Sequence, residues 1–330
     1  MMMNGLESNK IVFDDCDITN LKDPDYDRIK RAVETRGILI IPKQDTNPIH
    51  FSKIISKIWG IDNYRFMAWN PDGSSAKTGL ESLMNKQMPN PNPGDYWGDD
   101  NFRENPDYQD TFNWPAHKQY PVQRVTGEKR NDKWTGIFQL GKLDWHCNLN
   151  QLHGADGVAL QAIRGAENTP TLFMNTIPAL YEMPDKLRKK IEGRYATYIY
   201  DYEKWGKVMS KEQHMVFKLA GKKPFKLWLI QENAGGTKGI YWHKYNHMQI
   251  NDDPGHKLRD ELEEYLFQPR YIYQHDWEVG DVIIMDQLLT QHKRVPEKDE
   301  VLEQRVLHRL SFRLTNRGNP RALAIANNIE

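Results

Sequence analysis

The chain has 330 residues, and its 45 lysines and arginines are balanced by 45 aspartates and glutamates, so the formal charge is zero. That balance argues against attachment to nucleic acid or anionic lipid by bulk charge. Hydrophobic residues at 38% and aromatics at 11% are enough for a core, which excludes wholesale disorder, and two cysteines, Cys16 and Cys147, cannot form a disulfide framework.

The first ten residues carry no apolar secretory core, and no apolar run approaches the roughly 18–20 residues of a membrane span. Few cysteines suit a reducing compartment. The expectation is a soluble, cytoplasmic protein of one domain over residues 1–330, with a small molecule as its partner and neither nucleic acid nor membrane.

Asp23-Pro24 is a helix start, Tyr26, Ile29 and Val33 recur at helical spacing, and Gly37 closes the helix. Ile38–Ile41 is a short apolar run stopped by Pro42 and reads as a buried strand. Asn47-Pro48 repeats the start device before the stripe Phe51, Ile54, Ile55 and Ile58, which Gly60 ends.

Residues 65–135 have no such periodicity. They are rich in Asn, Pro, Gly and Asp, and the alternating prolines of 89–94 fit neither a central strand nor a helix interior. A stretch this long reads as a lid or a surface insertion. As a lid it would set the substrate, with Trp69, Trp97 and Trp114 as candidate walls.

From about residue 136 strands dominate: Thr171–Met174, Tyr195–Tyr200, Tyr271–Tyr273, Val282–Met285 and Leu307–Thr315. Helices are read from Pro184-Asp185 to Gly193 and over 257–267, where Leu258, Leu262 and Leu266 share one side. This order suggests a mainly β protein, a sandwich or open barrel with flanking helices.

Histidine is the commonest side-chain ligand of metals. His243 and His247 are four apart, as on a metal-binding helix, but no Glu follows the first to act as base. A surface or core pair is the simpler reading. In Trp145-His146-Cys147-Asn148 a strand would turn His146 and Asn148 to one face and Cys147 to the other. That is the geometry by which an H-x-D pair supplies two ligands of a 2-His-1-carboxylate site, with Asn in the carboxylate position. Cys147 then serves as a small core residue. Near the C-terminus, His292 follows the strand 282–285. Beyond it Arg305, Arg309, Ser311 and Arg313 alternate with Leu310, Phe312 and Leu314. Their polar face is either solvated or aims a guanidinium into a cavity, where it can grip a carboxylate.

Together these segments resemble the taurine dioxygenase (TauD/TfdA-like) family of Fe(II)/2-oxoglutarate oxygenases. The likeness rests on Glu34–Ile41 with the following helix ending at Trp59-Gly60, on Trp145-His146-x-Asn148, on Thr171 placed 25 residues after His146, and on Gly280-Asp281, Asp286, Gln291-His292 and Arg305-x-x-x-Arg309. The resemblance implies a double-stranded β-helix (jelly roll, cupin-like). It implies Fe(II) on His146, His292 and the Asn148 position. It also implies 2-oxoglutarate as cosubstrate, its far carboxylate on Arg309 with Thr171 and its near carboxylate toward Arg305. The activity implied is hydroxylation or another oxidation of a small molecule. Asn148 departs from the family motif. It can coordinate through its amide oxygen, swing away and leave room for water or chloride as in related halogenases, or mark a protein that lost iron and only binds.

Overall fold

The computed structural model describes residues 10–46, 48–59, 122–130, 133–134, 138–148, 156–209, 224–295, 301–312 and 314, with isolated positions between 210 and 223. Helix α1 runs from Asp23 to Arg36 and starts one residue earlier than an Asp23 cap would place it: Lys22 is the boundary, and its backbone N–H donates to the Asp25 carboxylate at 2.9 Å. Gly37 ends the helix in the left-handed region, at φ 76°, which glycine adopts without steric cost. A Cβ there would sit 3.0 Å from Thr290 Cγ2, so the close approach also needs glycine.

The turn after α1 ties the two halves of the fold together. Arg36 C=O accepts from Asn175 Nδ2 and Glu34 C=O from Asn233 Nδ2, each at 2.7 Å; Gly37 C=O accepts from Asp286 N at 2.8 Å. Helix α2, Pro48–Trp59, follows strand β2, Ile38–Ile41.

Among the described residues ten of the strands form the two main sheets. In chain order they are β1 (Ile11–Val12), β2, β3 (Val122–Val125), β4 (Leu143–His146), β5 (Gly157–Arg164), β6 (Thr171–Asn175), β7 (Ile272–His275), β8 (Val282–Asp286), β9 (Thr290–Arg294) and β10 (Val306–Phe312). The larger sheet has the order β1-β2-β8-β5-β10-β3 and the smaller β7-β6-β9-β4. All pairings in these sheets are antiparallel except β1 with β2.

Strand parity decides which residues meet. Leu39, Ile41, Ala159, Val282, Ile284, Leu310 and Phe312 face outward and pack with Ile29 and Val33 of α1 and Phe51, Ile54, Ile55 and Ile58 of α2. The opposite parity, Ile38, Ile40, Val158, Leu160, Ile283, Met285 and Leu307, faces the interior with Phe173 of the smaller sheet. Both faces of the larger sheet are therefore buried, which is why β2 and β8 are continuous apolar runs. The outer face of the smaller sheet, with Trp145, Cys147 and Met174, packs against α3 (Thr176–Tyr181), α4 (Asp185–Ile191) and α5 (Lys257–Leu266). Two facing sheets braced by helices are the jelly roll expected from the sequence. Among the described residues no helix is long and apolar enough to cross a membrane.

Candidate active site

Between the sheets lies a narrow cavity. His146, Asn148, Thr171, His292, Arg305 and Arg309 all line it, together with Arg294 and the apolar walls Val125, Phe138, Leu143, Leu160 and Leu307. No aspartate or glutamate is among these lining residues.

His146 ends β4, and His292 lies directly across from it on β9. Their ring centroids are 4.1 Å apart. His146 Nδ1 lies 2.8 Å from the backbone oxygen of Asp144. A carbonyl only accepts, so Nδ1 carries the proton and Nε2 keeps its lone pair. Burial, and then His292, hold His146 well below the usual histidine range. Burial, and then the Arg309 charge, push His292 down to about 3. Both rings are thus neutral at pH 7, the state a metal ligand requires.

Asn148 follows β4. Its backbone N–H donates to Gln287 Oε1 at 2.7 Å, which pins this corner of the cavity to the end of β8. Its amide nitrogen is buried without a partner among the described residues.

The three arginines differ. Arg294 spends its guanidinium on the carbonyls of Phe138 (2.6 Å), Leu140 (2.6 Å) and Gly141 (2.9 Å), so it closes the loop before β4. Arg309 lies over the Phe138 ring at 5.7 Å, and both histidines feel its charge. Burial lowers its pKa to about 10. Arg305 is 3% exposed, and its buried Nε has no hydrogen-bond partner among the described residues. Burial, and then the Arg294 charge, lower its pKa.

Arg294 is the cross-strand partner of Thr171, two residues along β9 from His292. At roughly 3.3 Å per residue the cavity therefore has two poles about 7 Å apart. One holds His146, His292 and Asn148; the other holds Thr171, Arg294 and Arg305.

Sequence reasoning missed Arg294, whose acceptors lie more than 150 positions away. It also missed Trp277, whose indole N–H donates to Thr171 Oγ1 at 2.9 Å. Cys147 is fully buried on the opposite face and lies 3.5 Å from Tyr241 Oη. His243 is a core histidine outside this cavity, in a segment that is not helical, and His247 begins a strand. His308 has the opposite parity to Arg309 and does not line the cavity. Arg313, Trp69, Trp97 and Trp114 lie outside the described residues, as does most of the insertion at 65–135.

The family profile described as taurine catabolism dioxygenase TauD, TfdA family matches residues 6–311. The chain belongs to that family. A curated relative, the alpha-ketoglutarate-dependent 2,4-dichlorophenoxyacetate dioxygenase of Burkholderia sp. (strain RASC), is 24% identical over 126 residues. That match spans 37% of this chain and 42% of the relative. The solved structure of AAD-2 in complex with Mn(II) and N-oxalylglycine is similar over 93% of this chain and 94% of its own, with a TM-score of 0.59 at 14% identity. A taurine dioxygenase from Burkholderia xenovorans is similar over 92% and 86%, with a TM-score of 0.57 at 13% identity. These structures share the jelly-roll fold with the TauD, TfdA-family chain described here.

The family implies Fe(II) and 2-oxoglutarate, and the residues present fit both. Two neutral imidazoles face each other at one pole, and at the other stands a buried guanidinium without a counter-ion among the described residues. Among the described residues no three His, Cys, Asp or Glu side chains converge on one cation position. A metal here would be held by His146 and His292, with the amide of Asn148 where a carboxylate belongs in the family motif.

Proposed function

We propose that this chain is an Fe(II)- and 2-oxoglutarate-dependent oxygenase that hydroxylates or otherwise oxidises a small molecule. One observation carries the reading: the ring centroids of His146 and His292 are 4.1 Å apart in a cavity whose far pole is a buried Arg305 without a hydrogen-bond partner for its Nε among the described residues. An isolated buried cation is costly, so a site of this kind is built to receive an anion.

Bound at the histidine pole, the metal with its keto-acid supplies the activation of dioxygen. The protein's own residues do the rest. The Asp144 carbonyl fixes the tautomer of His146 and so presents Nε2 to the metal. Asn148 offers a neutral oxygen and leaves the centre one unit more positive than an aspartate would. Arg305 and Thr171 hold the far carboxylate of 2-oxoglutarate, and Arg309, nearer the histidines, lies toward the near one. This reverses the order of the two arginines expected from the sequence. The apolar walls exclude water, which strengthens each of these ionic contacts. No observation favours a halogenase or a non-catalytic binder.

The reading is tested by succinate formation from 2-oxoglutarate in air with Fe(II) added. Wild type is expected to form succinate, and His146→Ala and His292→Ala to lose that activity. Succinate at the wild-type rate in both variants would exclude the assignment.

A further inference from the structure

Thr171 is buried, and its hydroxyl has one proton to give and two lone pairs to receive. One lone pair is taken by Trp277 Nε1 at 2.9 Å, across 106 positions of sequence. An indole nitrogen only donates, so the threonine proton must go elsewhere. Among the described residues the bond from Trp277 is the hydroxyl's one hydrogen bond, and Thr171 lines the cavity together with Arg305.

Trp277 is itself held. It is 2% exposed, and its ring meets His275 edge-on, with centroids 4.7 Å apart and planes at 90°. His275 is clamped on both nitrogens, by Tyr273 Oη at 3.0 Å and by Asp281 Oδ2 at 2.9 Å. Asp281 also accepts from Glu278 N at 3.0 Å and from Lys43 N at 3.3 Å. His275 is in turn the cross-strand neighbour of Thr171. The turn that delivers Asp281 depends on Gly280, at φ 90°, where a Cβ would lie 2.9 Å from Gln44 backbone atoms. A continuous chain of contacts therefore runs from the Gly280-Asp281 turn through His275 and Trp277 to one hydroxyl.

We propose that Trp277 is a positioning residue for cosubstrate binding: its N–H fixes the Thr171 hydroxyl so that the proton points into the cavity, at the far carboxylate that Arg305 receives. The inference rests on the cosubstrate reading of the cavity. Orienting groups behind a ligand-contacting side chain act in this way without touching the ligand.

The test uses full-length protein loaded with Mn(II) and calorimetric titration of two keto-acids, 2-oxoglutarate and 2-oxobutyrate. The second lacks the far carboxylate. Trp277→Phe and Thr171→Val should each weaken 2-oxoglutarate binding about 10- to 150-fold, the size of one hydrogen bond to a charged group, and leave 2-oxobutyrate and Mn(II) binding within about twofold. The double variant should bind no more weakly than the weaker single one, because the two residues act through one hydroxyl. Additive losses, or equal losses for both keto-acids, would overturn the proposal. So would wild-type 2-oxoglutarate affinity in Thr171→Val, which preserves the packing volume and decides the matter even if Trp277→Phe does not fold. If wild-type protein binds neither keto-acid, the cosubstrate reading itself fails instead.

Discussion

His146 and His292 are cross-strand partners on the last two strands of the smaller sheet, 146 positions apart in the chain and 4.1 Å apart between ring centroids. Antiparallel register alone brings them together. On the other side of β9, the pairing with β6 sets Arg294 opposite Thr171, two residues beyond His292, which gives the cavity its length.

The two poles predict how the arginines divide their work. Arg305→Ala should weaken 2-oxoglutarate binding by about 2–3 kcal/mol, roughly 30- to 150-fold in Kd. Arg309→Ala should do so less. Calorimetry on the Mn(II)-loaded variants separates them; a larger loss at Arg309 would restore the order read from the sequence.

Arg294 should behave differently from both. Its guanidinium satisfies three backbone carbonyls. Arg294→Ala is expected to lower stability by roughly 2–4 kcal/mol, because buried acceptors are left unpaired. Denaturant unfolding measures this, and an unchanged midpoint would count against the structural role.

Asn148 sets the charge of the metal pole. Asn148→Asp restores an anionic ligand and should tighten Mn(II) or Fe(II) binding roughly tenfold or more, since affinity follows ligand charge. Unchanged metal affinity would mean that the side chain at 148 does not face the metal.

The buried histidines also predict an acid sensitivity of the metal-free protein. Burial lowers His146 and brings His292 down to about 3, while in the unfolded chain a histidine titrates near 6.5. Between these values the unfolded chain binds more protons, so stability falls as pH drops below about 6.5. Asp286, raised to about 7 by burial, acts in the opposite sense over the same window. The difference between wild type and His292→Gln removes that contribution. The variant's unfolding midpoint should fall less steeply from pH 7 to pH 5; parallel curves would contradict the assignment.

Much of this was legible in the residues. The apolar run 38–41, the two helical stripes before residue 60, the His146/Asn148 parity and the alternation around Arg309 all carry local periodicity, and periodicity survives in one dimension. Strand β5 carries no such signal, because both its faces are buried and it does not alternate. Nor does β9, whose Thr-Gln-His-Lys-Arg sequence reads as surface although four of its five residues are buried. Polar residues there serve the cavity, not solvent. The roles of Arg294 and Trp277 depend on partners more than 100 positions away, and no local pattern announces them.

The most direct test of the central claim is optical. Fe(II) and 2-oxoglutarate added together without oxygen should give a visible charge-transfer band in wild-type protein, and that band should vanish in both His146→Ala and His292→Ala. A colourless wild-type mixture with saturating iron and 2-oxoglutarate would contradict it.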